Sequence, residues 1–305
     1  MKNIPVAFDA HMVADAKSYS PSAYKPAAVM ADWAQRLDAL PHNLIPVRPA
    51  TVEQLLTAHS GGYVADVLSC RAENGFGNTE KSVAQALPWM VGSMLYAAQH
   101  VLSGRYGSMR ESDIPAACSP SSGFHHASFS RGAGFCTFNG LLITAIVLKN
   151  MGLVRKVAII DCDYHYGDGT QEIIDHLGLK WINHWSAGAY FKRPDQAQDF
   201  MLGLPYAVKH AAAGCDLALY QAGADQHRLD PLGGLLTTEQ MARRDRQVFW
   251  VLREYGVPVV WNLAGGYQRD MNCTIEPVLA LHRNTMRQCV DIYVHGEERE
   301  KEVIL

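Results

Sequence analysis

The chain has 305 residues, of which 48% are hydrophobic and 19% are charged, and its formal net charge is −3. This size and composition favour a single globular domain spanning residues 1–305. The charge excludes a basic surface for nucleic acid, and no apolar run reaches the roughly 20 residues of a membrane span. The seven cysteines include no CxxC pair, and the N-terminal residues lack the apolar core of a signal peptide. Both observations indicate free thiols and a cytoplasmic location.

Helices and apolar strands alternate along the chain. The helical patterns cover 27–40, 51–59 with Thr51 as N-cap, 61–69, 86–104, 141–152, 236–256 and about 274–293. The strand patterns cover 6–12, 155–163, 216–225 and 258–267. The last three strands lack polar alternation, which indicates burial on both faces. The predicted fold is therefore α/β, with three α/β/α layers around a mostly parallel central sheet.

Three predicted strands end in polar or glycine-rich sequences, IIDCDYH, YQAGAD and NLAGGY, and ligands of parallel sheets bind beyond such strand ends. Asp163 and His165 are two residues apart, so in an extended segment both side chains point to one side. With Asp225, they offer two carboxylates and an imidazole, which suits zinc and leaves a position for water. For DxDxH alone, a polar turn after a buried strand is the alternative.

His125 and His126 are neighbours in a loop that follows Ser-Ser-Gly. They are either chance neighbours at the surface or a general acid and base beside a metal-bound water. In the second case each histidine needs a carboxylate partner, and Asp161 and Asp168 are the acids left once Asp163 binds metal.

Tyr267 follows Ala-Gly-Gly, whose small residues let the backbone approach a ligand. Its hydroxyl would either stabilise a substrate oxyanion or pack on its own loop.

These motifs together resemble the histone deacetylase and acetylpolyamine amidohydrolase superfamily, zinc amidohydrolases with the arginase-like α/β fold. The resemblance extends from SPSAYKP to LAGGY and includes SGFHHA, GFCTFN, DCDYHYGDGT and GADQHRLDPLGG in order. Five ordered blocks are a specific signal, whereas any one alone would be weak.

The resemblance implies one zinc ion per chain, bound by Asp163, His165 and Asp225. It also implies hydrolysis of an acetylated amine by a metal-activated water. His126, paired with Asp168, would be the general base that later protonates the leaving amine.

The remaining family roles concern the oxyanion and the substrate tunnel. His125, paired with Asp161, would act mainly electrostatically, and Tyr267 would polarise the acetyl carbonyl. The family's substrate-contacting positions correspond to Phe135 and Tyr190 in the tunnel walls, Leu232 at the rim, and Gly134 and Gly266, where backbone crowds the channel. The implied substrates are an acetylated small molecule, such as an acetylpolyamine, or an acetyl-lysine peptide. A homo-oligomer is also consistent with the family.

The sequence departs from the family pattern in several places. Tyr166 replaces the second histidine of HHG, and the short segment 185–215 would leave the tunnel wall open or completed by a partner subunit. The family's rim acid is not evident in GFGNTEKS, where Asn78 or Glu80 would have to substitute. The serine of a structural K⁺ site is not evident in WINHW, although Asp161 and Asp163 would still contribute to such a site.

Two other functions share some of these features. An arginase-like dinuclear manganese hydrolase would need acids at two positions that hold Gly167 and His227. A catalytically weak module that binds acyl-lysine would need neither Tyr267 nor the histidine–aspartate pairs.

Overall fold

The computed structural model describes residues 2–106 and 114–297. Within these residues, seven strands form one parallel sheet. The strands are β1 (Ile4–Ala7), β2 (His42–Ile45), β3 (Ala116–Ser119), β4 (Val157–Asp161), β5 (Ile182–Ser186), β6 (Leu217–Gln221) and β7 (Val259–Asn262). Their order across the sheet is β2-β1-β3-β7-β6-β4-β5, so β4 lies between β6 and the edge strand β5.

Helices cover both faces of this sheet. They are α1 (Lys25–Ala34), α2 (Val52–Leu55), α3 (Gly61–Leu68), α4 (Lys81–Tyr106), α5 (Gly140–Asn150), α6 (Asp168–Leu177), α7 (Ala197–Ala212), α8 (Thr238–Glu254) and α9 (Glu276–Tyr293). Helices α1, α7, α8 and α9 contribute to one apolar core, and α2 to α6 contribute to the other. The predicted three-layer α/β/α architecture is therefore confirmed.

The first four residues of strand β4 show why its sequence is apolar up to Asp161. Ala158 and Ile160 belong to the core beneath α7 and α8, whereas Val157 and Ile159 belong to the core on the opposite face. All four residues are fully buried. Successive side chains of a strand point to opposite faces, so a sheet covered on both sides favours apolar residues at every position before the strand end.

The predicted helix at 236–256 corresponds to α8. Its N-cap, Thr237, accepts a hydrogen bond from the Gln240 amide, and the Gln240 side chain accepts one from the Thr237 amide. The same reciprocal arrangement joins Thr51 and Gln54 at the start of α2, as predicted for Thr51. Helix α4 begins at Lys81 rather than at residue 86.

The sheet brings the candidate residues to one edge. Asp161, the last residue of β4, is aligned with Gln221 of β6 and with Ser186 of β5. Gln221 is in turn aligned with Asn262 of β7. The segments that follow β4, β6 and β7 therefore lie side by side, and Asp163 and Gly265 meet there although they are 102 positions apart in the sequence.

None of the helices in the described ranges combines the length and apolarity that a membrane span requires.

Candidate active site

Asp163, His165 and Asp225 form a compact cluster beyond the ends of β4 and β6. One potential ligand atom from each residue lies within 4.8 Å of the others. His165 Nδ1 is 3.2 Å from Asp163 Oδ1 and 3.1 Å from Asp225 Oδ2. Both carboxylates are buried, and His165 is half-buried. The cluster therefore offers two oxygen donors and one nitrogen donor to a single small ion.

The electrostatics of this cluster favour a cation. Burial and the charge of Asp163 raise the pKa of Asp225 above its ordinary value. Burial alone would lower the pKa of His165, but its hydrogen bonds to Asp163 and Asp225 outweigh burial and raise that pKa to about 10. Two buried carboxylates in contact need positive charge nearby, and a divalent ion with O and N ligands supplies it.

Gly265, in the segment after β7, makes room for both carboxylates. A Cβ atom there would lie 2.4 Å from Asp225 Oδ2 and 2.7 Å from Asp163 Oδ2. The Gly265 amide donates a hydrogen bond of 2.9 Å to Asp163 Oδ2. Gly223 is similarly confined, since its Cβ would lie 2.7 Å from Asp225 Oδ1. Small residues at these positions allow the backbone to reach the carboxylates.

The two histidines are both paired with carboxylates, and the pairs differ in exposure. His125 Nδ1 lies 2.8 Å from Asp161 Oδ2, and both side chains are buried. His126 Nδ1 lies 2.6 Å from Asp168 Oδ1, where the side chains are 18% and 63% exposed. The imidazole rings are 4.1 Å apart, and the His126 ring is 5.7 Å from that of His165. Both pairs therefore border the cluster.

Tyr267 lies beside the same cluster. Burial and the negative charges of Asp225 and Asp163 raise the pKa of its phenol well above the ordinary value. Asp230 fixes the backbone here, because its Oδ2 accepts hydrogen bonds from the amides of Tyr267 at 2.7 Å and Gln268 at 3.2 Å. The phenol is therefore protonated at neutral pH and lies on a segment whose backbone is fixed.

Phe135 is the centre of an aromatic group next to Tyr267. Its ring lies 5.4 Å from Tyr267, 5.5 Å from Tyr19 and 5.7 Å from Phe76. Phe135 has φ +64°, which is unusual for a residue with a side chain. The preceding Gly134 has φ +52°, and a Cβ there would lie 2.4 Å from His126 Cδ2. The backbone at Gly134 therefore packs directly against the imidazole of His126.

Of three further predicted residues, Gly266 and Leu232 border these groups, whereas the ring of Tyr190 has a different neighbour. Gly266 has φ +134°, and its Cβ would lie 2.8 Å from Ala224 Cβ, so glycine is required there. Leu232 is half-buried and donates its amide to Asp230 Oδ1. Tyr190 is 63% exposed, and its ring contacts Phe191 rather than the aromatic group of Phe135. Its role as the opposite tunnel wall stays a prediction.

Ser186 was missed by sequence reasoning. It follows WINHW directly, and the β4–β5 register aligns it with Asp161. Its hydroxyl oxygen lies 3.4 Å from Asp161 Oδ2 and accepts a hydrogen bond of 3.1 Å from the Gly167 amide. Reading one residue further along the predicted motif would have found it.

Lys25 was also missed, although it lies in the SPSAYKP motif. It is fully buried and donates from Nζ to the carbonyls of Ala264 at 2.5 Å and Gly265 at 3.2 Å. It therefore supports the segment that carries Tyr267.

The two positions at which a second metal ion would require acidic ligands hold Gly167 and His227. A Cβ at Gly167 would lie 2.6 Å from Asp161 Oδ2, so a larger residue does not fit. His227 contacts Gln268 Oε1 and Thr238 Oγ1, each at 3.1 Å, which occupies both ring nitrogens. Neither residue supplies a ligand beside the cluster.

The histone deacetylase domain matches residues 21–178, which is more than half of the chain. The chain therefore belongs to the histone deacetylase and acetylpolyamine amidohydrolase superfamily, a group of hydrolases. The crystal structure of the HDA15 HD domain superposes with a TM-score of 0.72 and 20% identity, covering 94% of this chain and 90% of that domain. This likeness confirms the fold.

Curated relatives match shorter segments. An uncharacterized protein of Picosynechococcus sp. is 29% identical over 217 residues, which are 65% of this chain and 71% of that protein. A probable deacetylase of Methanothermobacter thermautotrophicus is 25% identical over 48% of this chain and 51% of its own length. The acetoin utilization protein AcuC of Staphylococcus aureus is 29% identical over 43% of this chain and 35% of its own length. The matched segments thus span about half or less of the latter two relatives.

Proposed function

We propose that this protein is a zinc-dependent amidohydrolase that removes an acetyl or related acyl group from an amine. The observation that carries the proposal is the meeting of three elements at one sheet edge. These elements are the Asp163–His165–Asp225 cluster, two histidine–carboxylate pairs and the phenol of Tyr267. Each element has a defined task in amide hydrolysis, and binding alone would not require all three.

Asp163, His165 and Asp225 would hold the metal. Carboxylate oxygens and imidazole nitrogens are ligands that zinc accepts, and three protein ligands leave one position open, as in catalytic zinc sites. Zinc, when bound, supplies Lewis acidity for activating water and polarising the acyl carbonyl. The amide of Gly265 orients Asp163 by its hydrogen bond to Oδ2, as outer hydrogen bonds orient ligands in metal sites generally.

His126 is the proposed general base. A carboxylate at Nδ1 holds the proton there and leaves Nε2 to accept one. His126 Nε2 takes a proton from the attacking water and delivers it to the nitrogen of the leaving amine, giving a carboxylate and a free amine. His126 is partly exposed, whereas His125 and Asp161 are buried as a pair. His125 therefore serves as a fixed charge beside the reaction.

Tyr267 is the proposed oxyanion donor. Because its pKa is raised, the phenol stays protonated and donates a hydrogen bond as negative charge develops on the substrate oxygen. One such donor typically contributes about 3 to 4 kcal/mol to transition-state stabilisation.

The substrate class is an acylated primary amine on an alkyl arm, either acetyl-lysine in a peptide or an acetylpolyamine. Support comes from the aromatic rings of Phe135, Tyr267, Phe76 and Tyr19, which suit a slender apolar arm. Asn78 is engaged elsewhere, because its side chain donates to the Ala16 carbonyl and accepts from the Asn74 side chain. It is therefore a poor candidate for the rim group that orients a peptide backbone.

A structural K⁺ ion beside Asp161 is a secondary proposal. The hydroxyl of Ser186 and the carboxylate of Asp161 supply hard oxygen donors at the end of β4. The dinuclear manganese alternative is disfavoured, since Gly167 and His227 add no ligand.

The test is a panel of acetyl-lysine peptides and acetylpolyamines, assayed with wild-type protein and with Tyr267→Phe, with zinc measured in both preparations. We expect one zinc ion per chain in both, turnover by the wild type that a hydroxamate inhibits, and little turnover by the variant. Two metal ions per chain, or equal turnover by the variant, would contradict the proposal.

A further inference from the structure

Strands β4 and β6 are joined by backbone hydrogen bonds only up to the residues that precede the candidate ligands. The amide of Cys162 donates to the Gln221 carbonyl at 3.0 Å, which is the last backbone bond between these two segments, whereas the segment after β6 stays bonded to the β7 side through the Ala222 and Ala224 amides. Asp163 and Asp225 lie past this point, one on each chain. The spacing of the two carboxylates therefore depends on contacts other than β4–β6 backbone bonds, one of which is the 3.1 Å hydrogen bond from the Tyr164 amide to Asp225 Oδ1.

Arg244 of α8 supplies such contacts. Its Nη1 donates to the Cys162 carbonyl at 3.1 Å and to the Gly223 carbonyl at 2.7 Å. It also donates to Gln226 Oε1 at 3.1 Å. Cys162 precedes Asp163, while Gly223 and Gln226 flank Asp225. One guanidinium nitrogen thus connects the two segments that carry the carboxylates.

The guanidinium is itself held in place. Arg244 Nε donates to Asp245 Oδ1 at 2.8 Å, and Asp245 also accepts hydrogen bonds from Tyr220 of β6 and from Thr285 of α9, the latter at 2.6 Å. Arg244 and Asp245 are buried. Asp245 neutralises the charge of Arg244. Arg244 therefore acts on the site mainly by fixing the positions of the two segments, and it adds little net electrostatic potential.

We propose that Arg244 is a positioning residue that sets the separation of Asp163 and Asp225, and thereby the affinity and geometry of the metal site. The inference rests on the proposed metal site and adds a residue that touches neither metal nor substrate. Outer groups that orient metal ligands typically change affinity by about 10- to 100-fold when they are altered.

Arg244→Lys is the first test variant. Lysine keeps the positive charge beside Asp245, but its single nitrogen cannot bridge Asp245 and the carbonyls of both segments. Arg283→Lys is the matched control, since Arg283 is 16% exposed and forms ion pairs with Asp32 and Glu276, away from the candidate ligands.

The double variant Arg244→Met/Asp245→Asn guards against a fold defect. It removes both charges together, so no unpaired charge is buried. Asparagine keeps polar contacts available to Tyr220 and Thr285.

Three quantities are measured for each variant. The Zn²⁺ affinity of the metal-free protein is measured by competition with a chelating dye. The other two are the d–d absorption spectrum of the Co²⁺ form and the thermal unfolding midpoint of the metal-free form. We expect both Arg244 variants to bind Zn²⁺ about 10- to 100-fold more weakly than Arg283→Lys, with an altered Co²⁺ spectrum. We expect the weaker defect in Arg244→Lys. The metal-free double variant should unfold near the wild-type midpoint.

Three outcomes overturn the inference. The first is wild-type affinity and an unchanged Co²⁺ spectrum in a folded Arg244 variant. The second is loss of the metal-free fold in both Arg244 variants, which would make the role purely structural. In both of these cases the proposed function would still stand if the wild type binds one Zn²⁺ ion per chain. Failure of the wild type to bind Zn²⁺ or Co²⁺ would overturn the proposed function as well.

Discussion

Replacing Gly265 with alanine tests the site most directly, because the added methyl group would point between the two candidate carboxylate ligands. It would lie 2.4 Å from Asp225 Oδ2 and 2.7 Å from Asp163 Oδ2, whereas ordinary contacts begin near 3.4 Å. The carboxylates would have to move apart, or the segment after β7 would have to retreat. A retreat would lengthen the 2.9 Å hydrogen bond from the Gly265 amide to Asp163.

The required displacement is about 1 Å, and a misplacement of that size costs about 100-fold in rate. We therefore expect kcat/KM of Gly265→Ala to fall about 100-fold, with weaker zinc binding. Overpacking of this kind also lowers the free energy of unfolding by about 1 to 3 kcal/mol. The entropic benefit of alanine in the unfolded chain, about 0.4 to 1 kcal/mol, offsets only part of that loss.

The assay compares zinc content, kcat/KM on the best acetylated substrate, and urea unfolding for wild type, Gly265→Ala and Gly203→Ala. Gly203 lies in α7, and a Cβ there meets nothing within 4 Å, so this control adds the same methyl group without a clash. Alanine should stabilise that helix position. Zinc content and activity of Gly265→Ala equal to those of the control would refute the reasoning.

Three of the remaining predictions concern the candidate site, and one concerns the buried histidine His59. Tyr267→Phe should lower kcat about 100- to 1,000-fold with an unchanged thermal midpoint; wild-type turnover would exclude the oxyanion role. Asp230→Asn weakens the acceptor of the Tyr267 and Gln268 amides and should lower kcat about tenfold in the same assay. Burial lowers the pKa of His59 from 6.5 to about 4, so the unfolded chain binds more protons below pH 6.5. Between pH 7 and pH 5 this histidine should therefore remove about 2 kcal/mol of unfolding free energy, so the loss in urea titrations should be smaller by about that amount for His59→Gln than for wild type. Chelation should abolish activity and added Zn²⁺ should restore it; full activity in a zinc-free preparation would contradict the metal assignment.

The fold was predictable where burial dictates composition. Strands β4, β6 and β7 are buried on both faces, so each appears in the sequence as a continuous apolar run. Strands β2 and β5 lie at the two edges of the sheet and carry polar or half-exposed residues, so their sequences, HNLI and INHWS, give no such signal. Strand β3 is only AACS, too short and too poor in β-branched residues to predict.

The candidate ligands and the two histidines could be proposed from the sequence because each belongs to a short local motif. The supporting contacts of Asp230 and Arg244 could not, since these residues reach their partners only through tertiary structure. Arg244 nevertheless left a signal. It lies three residues after Met241 and four before Val248, both buried, so helical spacing puts a charged residue on the buried face of α8. A buried charge at such a position requires an ion-pair or hydrogen-bonding partner, so it indicates a structural or functional role.

The support of the cluster comes from separate elements because the ligands themselves lie beyond the regular structure. Backbone pairing between β4 and β6 ends before Asp163 and Asp225, and the carboxylates of these two residues repel each other there. Backbone and side-chain contacts from Gly265 and Arg244 hold the two segments against this repulsion. A bound cation would oppose the same repulsion. Metal binding and the ordering of the segments at the strand ends are therefore thermodynamically coupled. Any change that loosens these contacts should therefore weaken metal binding before it disturbs the sheet.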